Sequence, residues 1–99
     1  MDLTILQNEP LTLIYESGRG AWTYRIDVPD TRHLKAPWGS IKVTGTIDDI
    51  PFGEMNLMPL KNEDAMMSVN KQLREKIGKS GGETVRVTMT LKDADTLGY

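Results

Sequence analysis

MMSVNKQLREKIGKSGGETVRVTMTL, Met66 to Leu91, decides the fold of this chain. Val69, Leu73 and Ile77 recur every fourth residue, so they share one helical face. Lys71, Gln72, Arg74, Glu75 and Lys76 lie between them and belong on the wet side. Ser68 or Asn70 can cap the start by accepting a bond from a free backbone N–H. Gly78 suits the left-handed residue that commonly ends a helix. Such a helix is only about two turns long and needs packing to hold it. Gly81 and Gly82 then permit a tight reversal. Beyond them Val85, Val87, Met89 and Leu91 alternate with Arg86, Thr88, Thr90 and Lys92, which is a strand with one buried and one wet face.

Working outward, the upstream chain reads as further strands. Leu3, Ile5, Leu11, Leu13 and Tyr15 mark a first one, interrupted near Asn8–Pro10; Pro10 lacks a donor, so the break belongs at an edge or a bulge. SGRG, Ser17 to Gly20, is a hairpin loop. Trp22, Tyr24, Ile26 and Val28 alternate with Thr23, Arg25 and Asp27, which puts Trp22 on a strand and in the core. Asp30–Gly39 is a connection, with a helical turn expected around Thr31–Leu34 and a stop at Pro37. Ile41, Val43 and Ile47 form a third strand, Asp48–Asp49 a turn, and Ile50–Met58 a fourth strand. The alternation slips one place after Phe52, so a bulge is expected at Gly53. Pro59 and Lys61–Asp64 read as a loop, and Asp93–Tyr99 as a polar tail.

One echo runs through the chain. Ile26-Asp27-Val28 leads through a connection and Gly39 to Ile41-Lys42-Val43-Thr44-Gly45-Thr46. Met67-Ser68-Val69 leads through the helix and Gly82 to Val85-Arg86-Val87-Thr88-Met89-Thr90. Two such halves can close a small barrel and so remove exposed strand edges. The expected architecture is mainly β: a small closed or double-split β-barrel of six or seven strands with one short α-helix, residues 1–92 forming a single domain and 93–99 the tail.

Composition bounds the function classes. With 38% hydrophobic and 26% charged residues, neither disorder nor a membrane span is favoured. No apolar run approaches the roughly 20 residues of a spanning helix. MDLTILQNEP has no basic start or apolar signal core, so no export signal is expected. The absence of cysteine excludes disulfides, thiolate metal sites and a cysteine nucleophile, and fits a reducing cytoplasm. A formal charge of −2 gives no general attraction to nucleic acid.

The segments now read carry a family likeness. APWGSIKVTGTIDDIPF (Ala36–Phe52), then LMP (Leu57–Pro59), then SVNKQLREKIG and GETVRVTMTL resemble the bacterial domain-of-unknown-function 1905 family, with Trp22 in GAWTYRIDVP fitting its early strand. The likeness covers roughly residues 18–92. Asp49 stands where that family often has glycine, and Glu83 where aspartate usually follows glycine. The resemblance implies a closed or split β-barrel with a helix against it, and no established reaction. The second half alone, Val69–Gly78 and Gly82–Val87, also resembles the AbrB-like swapped-hairpin barrels, with Asn70 in the proline position. Those include DNA-binding regulators and antitoxins that complete a barrel by dimerising. This chain is long enough to supply both halves itself, which weakens any transfer of that role.

No catalytic set assembles from the sequence. His33, the only histidine, sits near Asp30 and Arg32 and is either a general base or plain surface. One histidine and no cysteine leave only carboxylates for a metal. Asp48 and Asp49 are either hard-cation ligands or turn residues bonding their own backbone. There is no phosphate-loop or dinucleotide-binding glycine pattern, and no nucleophile elbow. No cofactor is expected. The methionines read as gap fillers in the core. The positive lead is a basic cluster, Lys71, Arg74, Lys76 and Lys79, at once a candidate anion site and an ordinary solvated helix face. Trp38, between Pro37 and Gly39, is either a pocket lid or core. Together these give a candidate ligand-binding set of Trp38, Lys42, Asn70, Lys71 and Arg74. In it the cations neutralise a small anionic ligand or protein partner, Asn70 hydrogen-bonds it and Trp38 covers it. The expected function is a non-catalytic binding module, monomer or homodimer, with an AbrB-like DNA regulator or a small enzyme using His33 as alternatives.

Overall fold

The computed structural model describes residues 2–31, 41–60 and 63–92. They form seven strands: β1 (Leu3–Thr12), β2 (Ile14–Tyr15), β3 (Tyr24–Asp27), β4 (Ile41–Ile47), β5 (Ile50–Leu60), β6 (Glu63–Ser68) and β7 (Thr84–Leu91). One helix, α1 (Lys71–Ile77), lies between β6 and β7. All neighbours pair antiparallel in a single sheet of order β1-β7-β4-β5-β6-β3-β2. No helix among the described residues is long and apolar enough to cross a membrane.

The sheet curls into an open half-barrel and does not close, contrary to the closed form of the expectation. Its two end strands are consecutive pieces of one chain joined at Leu13. Leu13 spends its own hydrogen bonds elsewhere: its N–H donates to the Glu83 carbonyl at 2.9 Å, and its carbonyl accepts from Gly82 N–H at 2.7 Å.

The alternating residues of each strand supply the core. Ile26, Val28, Ile41, Val43, Ile47, Leu57, Ala65, Met67, Val85, Val87, Met89 and Leu91 are buried, joined by Leu6, Leu13, Val69 and Leu73. The break expected near Asn8–Pro10 is present as an irregularity inside the single strand β1, at an end of the sheet. The strand absorbs the misfit with register shifts between Thr4 and Leu6 and between Leu6 and Glu9, and with a left-handed Asn8 (φ 52°). Pro10 lies on the end strand of the sheet, where a missing donor is tolerated.

The turn Asp48–Asp49 has positive φ at both residues (49° and 67°), the geometry of a two-residue hairpin whose twist matches the strands it joins. The bulge expected at Gly53 is present: Gly45 faces Gly53 and Thr46 faces Pro51, with Phe52 left over. β6 begins at Glu63, inside the stretch read as a loop. Trp22 is not on a strand. It ends a 3-10 turn, Gly20–Trp22, with its N–H spent on the Arg19 carbonyl at 3.0 Å, and it is half-buried.

The internal echo reappears as symmetry in the pairing. Ile26 pairs Met67, its counterpart in the echo, and Gly45 pairs Met89, also its counterpart. On either side the partners exchange, Val43 with Leu91 and Ile47 with Val87, as a two-fold relation requires. The connection equivalent to α1, the helical turn expected near Thr31–Leu34 and the polar tail at 93–99 fall outside the described residues, Thr31 excepted.

Candidate functional site

α1 is held as its sequence foretells. Leu73 is buried, Ile77 packs against the core, and Gly78 ends the helix with φ 68°. Of the two candidate caps it is Asn70 that serves, its Oδ1 accepting from Leu73 N–H at 2.8 Å. Opposite Leu73 the helix presents Lys71, Arg74, Glu75 and Gly78. These are spaced i, i+3, i+4 and i+7, so they line one flank. The chain then turns back through Lys79–Glu83, and the flank and turn enclose an open hollow of about 340 Å³.

The cations around this hollow are positioned to different degrees. The Arg74 guanidinium lies 3.7 Å over the centre of the Tyr24 ring, and its Nη1 donates to the Val69 carbonyl at 2.9 Å. Tyr24 in turn meets Tyr15 at 5.0 Å between ring centres. Tyr15 fills the space beside Gly81, where any Cβ would collide with its own. One arm of the guanidinium is thus fixed, and other donors remain on the planar group. Lys79 Nζ donates to the Thr84 carbonyl at 2.7 Å and lies 2.8 Å from Asp48 Oδ2. Lys71, on the exposed first turn, has no ion-pair partner among the described residues. Across the hollow, Ser80 N–H donates to Glu83 Oε2 at 2.6 Å.

Asp48 is a structural anchor. Its Oδ1 accepts from Arg86 N–H at 2.8 Å, and its own N–H donates to the Arg86 carbonyl at 2.8 Å. It therefore bonds the neighbouring strand and not its own turn, as the sequence reading had it. Desolvation works against its charge, but the Lys79 ammonium and the Arg86 N–H outweigh that and hold its carboxyl below the usual value of 3.8. Its Oδ1 is thus bonded to the β7 backbone and its Oδ2 faces the Lys79 ammonium.

Four of the five expected ligand residues are described, and they are divided among three places. Lys71 and Arg74 share the hollow. Asn70 lies on the other flank of α1, lining a smaller recess of about 90 Å³ with Phe52, Gln72 and Lys76. Lys42 is on β4, its Nζ 3.5 Å from Glu54 Oε1 on the adjacent strand. Trp38 and His33 lie outside the described residues. Ser80 and Glu83 are the site residues that sequence reading missed; the S-G-G-E spacing across a glycine turn was the available signal. A second groove of about 340 Å³ runs along β5, walled by Trp22, Met55, Leu57 and Met58 with Ser68 at its side.

The fold and these hollows define a small antiparallel β domain with one short helix packed against its half-barrel. Residues 12–89 match the family model described as a domain of unknown function, DUF1905, and the chain belongs to that family. No curated protein matches the chain, and no solved structure does.

Proposed function

We propose that the protein is a non-catalytic binding module whose ligand is a small molecule carrying a carboxylate or phosphate group. The ligand sits in the hollow between α1 and the Lys79–Glu83 turn. The supporting observation is that Lys71, Arg74 and Lys79 converge on one open space, with Arg74 already held in place by Tyr24 and Val69. A fixed guanidinium loses little side-chain freedom on binding and suits planar, two-point recognition of an oxyanion. The β7 end of the hollow is braced by the Asp48–Lys79 pair, so the site rests on the sheet as well as on a short helix.

DNA is not the partner in this reading. The formal charge of −2 gives no general attraction to a polyanion.

The test is a titration with inorganic phosphate and with citrate, followed by amide shifts of the labelled protein. Lys71, Arg74 and Ser80 are expected to move together and saturate. Lys71→Gln with Arg74→Gln removes two charge-assisted contacts, each worth about 1.5–3 kcal/mol, so affinity falls at least about tenfold. Unchanged affinity in that double variant refutes the site.

A further inference from the structure

We propose that Glu83 is a built-in occupant of the oxyanion site, and that a ligand binds by displacing its carboxylate from Ser80. This rests on the binding reading above and adds a means of control to it.

Three observations carry the inference. Ser80 N–H is an amide just beyond the left-handed end of α1, so the helix makes no claim on it. It donates to a carboxylate oxygen, Glu83 Oε2, at 2.6 Å, a short contact of the kind an ionised acceptor makes. That carboxylate lines the same hollow as Lys71, Arg74 and Lys79. The hollow thus holds one oxyanion of its own, resting on the one backbone donor that an incoming oxyanion would also use.

The turn geometry makes the carboxylate removable. Glu83 reaches back across Gly81 and Gly82, and the backbone of that turn is held without its side chain. Glu83 N–H donates to the Ser80 carbonyl at 3.2 Å, the Glu83 carbonyl accepts from Leu13 N–H, and Gly82 N–H donates to the Leu13 carbonyl. The Glu83 side chain is exposed and can swing into water while the turn stays closed. The incoming ligand then faces Ser80 N–H, Lys71, Arg74 and the remaining Lys79 hydrogen, since two of that ammonium's directions are spent on Asp48 and Thr84.

An internal competitor lowers the apparent affinity by the fraction of molecules in which the site is free. If Glu83 is seated in about nine molecules of ten, its removal tightens binding about tenfold. Glu75 supplies the control, because it lines the same hollow and carries the same charge but has no bond to Ser80.

The experiment measures inorganic phosphate affinity by amide shifts in the wild type, Glu83→Ala and Glu75→Ala. Glu83→Ala is expected to bind about tenfold tighter. Glu75→Ala is expected to gain only about twofold, the scale of one screened surface charge. In Glu83→Ala without phosphate the Ser80 amide proton moves upfield, and phosphate restores its downfield position. Equal modest gains in the two variants overturn the displacement mechanism and leave the binding site standing. If phosphate moves Lys71, Arg74 and Ser80 in none of the three proteins, the binding site and the mechanism both fall.

Discussion

Thr31 offers a sharp test of how the β3–β6 edge is held. It is the buried polar residue of the described core, 2% exposed. Its hydroxyl donates to the Val28 carbonyl at 2.7 Å and accepts from Ala65 N–H at 2.7 Å. The strand pairing has just ended there, with Val28 N–H donating to the Ala65 carbonyl at 2.8 Å. The hydroxyl therefore stands in for the next carbonyl of a ladder that has run out. Thr31→Val keeps the shape and orphans a buried N–H, which costs about 1–3 kcal/mol. Thr31→Ser keeps both bonds and loses one methyl, about 0.8 kcal/mol. The apolar variant is therefore the worse of the two, the reverse of the order a hydrophobicity scale gives. With about 4–8 °C of melting temperature per kcal/mol in a domain of this size, valine is expected to melt about 10 °C lower. Urea unfolding of the three proteins measures the difference directly. Valine matching or exceeding serine refutes the assignment of the hydroxyl as a ladder cap.

Three further outcomes are expected. Gly45→Ala places a Cβ on the Thr88 carbonyl oxygen, a backbone atom of the adjacent strand, so the variant should lose more than about 3 kcal/mol and show a collapsed thermal transition by circular dichroism. Asn70→Ala removes the acceptor for Leu73 N–H and should cost about 1 kcal/mol in urea unfolding; a loss as large as that of Gly45→Ala would mean the residue does more than cap. Asp48 titrates lower in the folded than in the unfolded chain, so its contribution to stability is complete above its ordinary value of 3.8 and disappears as the pH falls through its lower folded value. Asp48→Asn should flatten the acid limb of stability against pH, and an unaltered limb would assign it to other carboxylates.

Periodicity carries through to the structure where one residue's environment is set by its near neighbours. The faces of β4 and β7, the Gly78 end of α1 and the slip at Gly53 all follow from residue type and spacing, and the start of α1 was narrowed to Ser68 or Asn70. Trp22 shows where spacing misleads. It keeps the parity of Tyr24 and Ile26, yet three residues of local turn bonding take it off the strand. Glu63 and Asp64 look like loop residues because they are acidic, but Asp64 faces an edge where its carboxylate accepts from Thr31 N–H at 3.3 Å. The bonding of Leu13 to the glycine turn was not readable, since about seventy positions separate the partners. The site divides the same way: the helical flank of Lys71 and Arg74 is periodic, whereas Ser80 and Glu83 join it only because the glycine turn folds back alongside.

The pairing of β1 with β7 bears on how the chain acquires its shape as it is made. Thr4 and Thr90, bonded through their hydroxyls at 3.1 Å, are separated by 86 positions. At the usual pace of about 5–20 residues per second, the ribosome leaves the first strand waiting several seconds for its ladder neighbour β7. Through that interval the ten residues of β1 offer unpaired amides to other nascent chains, a hazard of edge strands. β4 waits as well, because β7 is its second neighbour. The last strand synthesised thus completes two ladders at once, and a polypeptide released before Thr84 would lack the piece that both of them need.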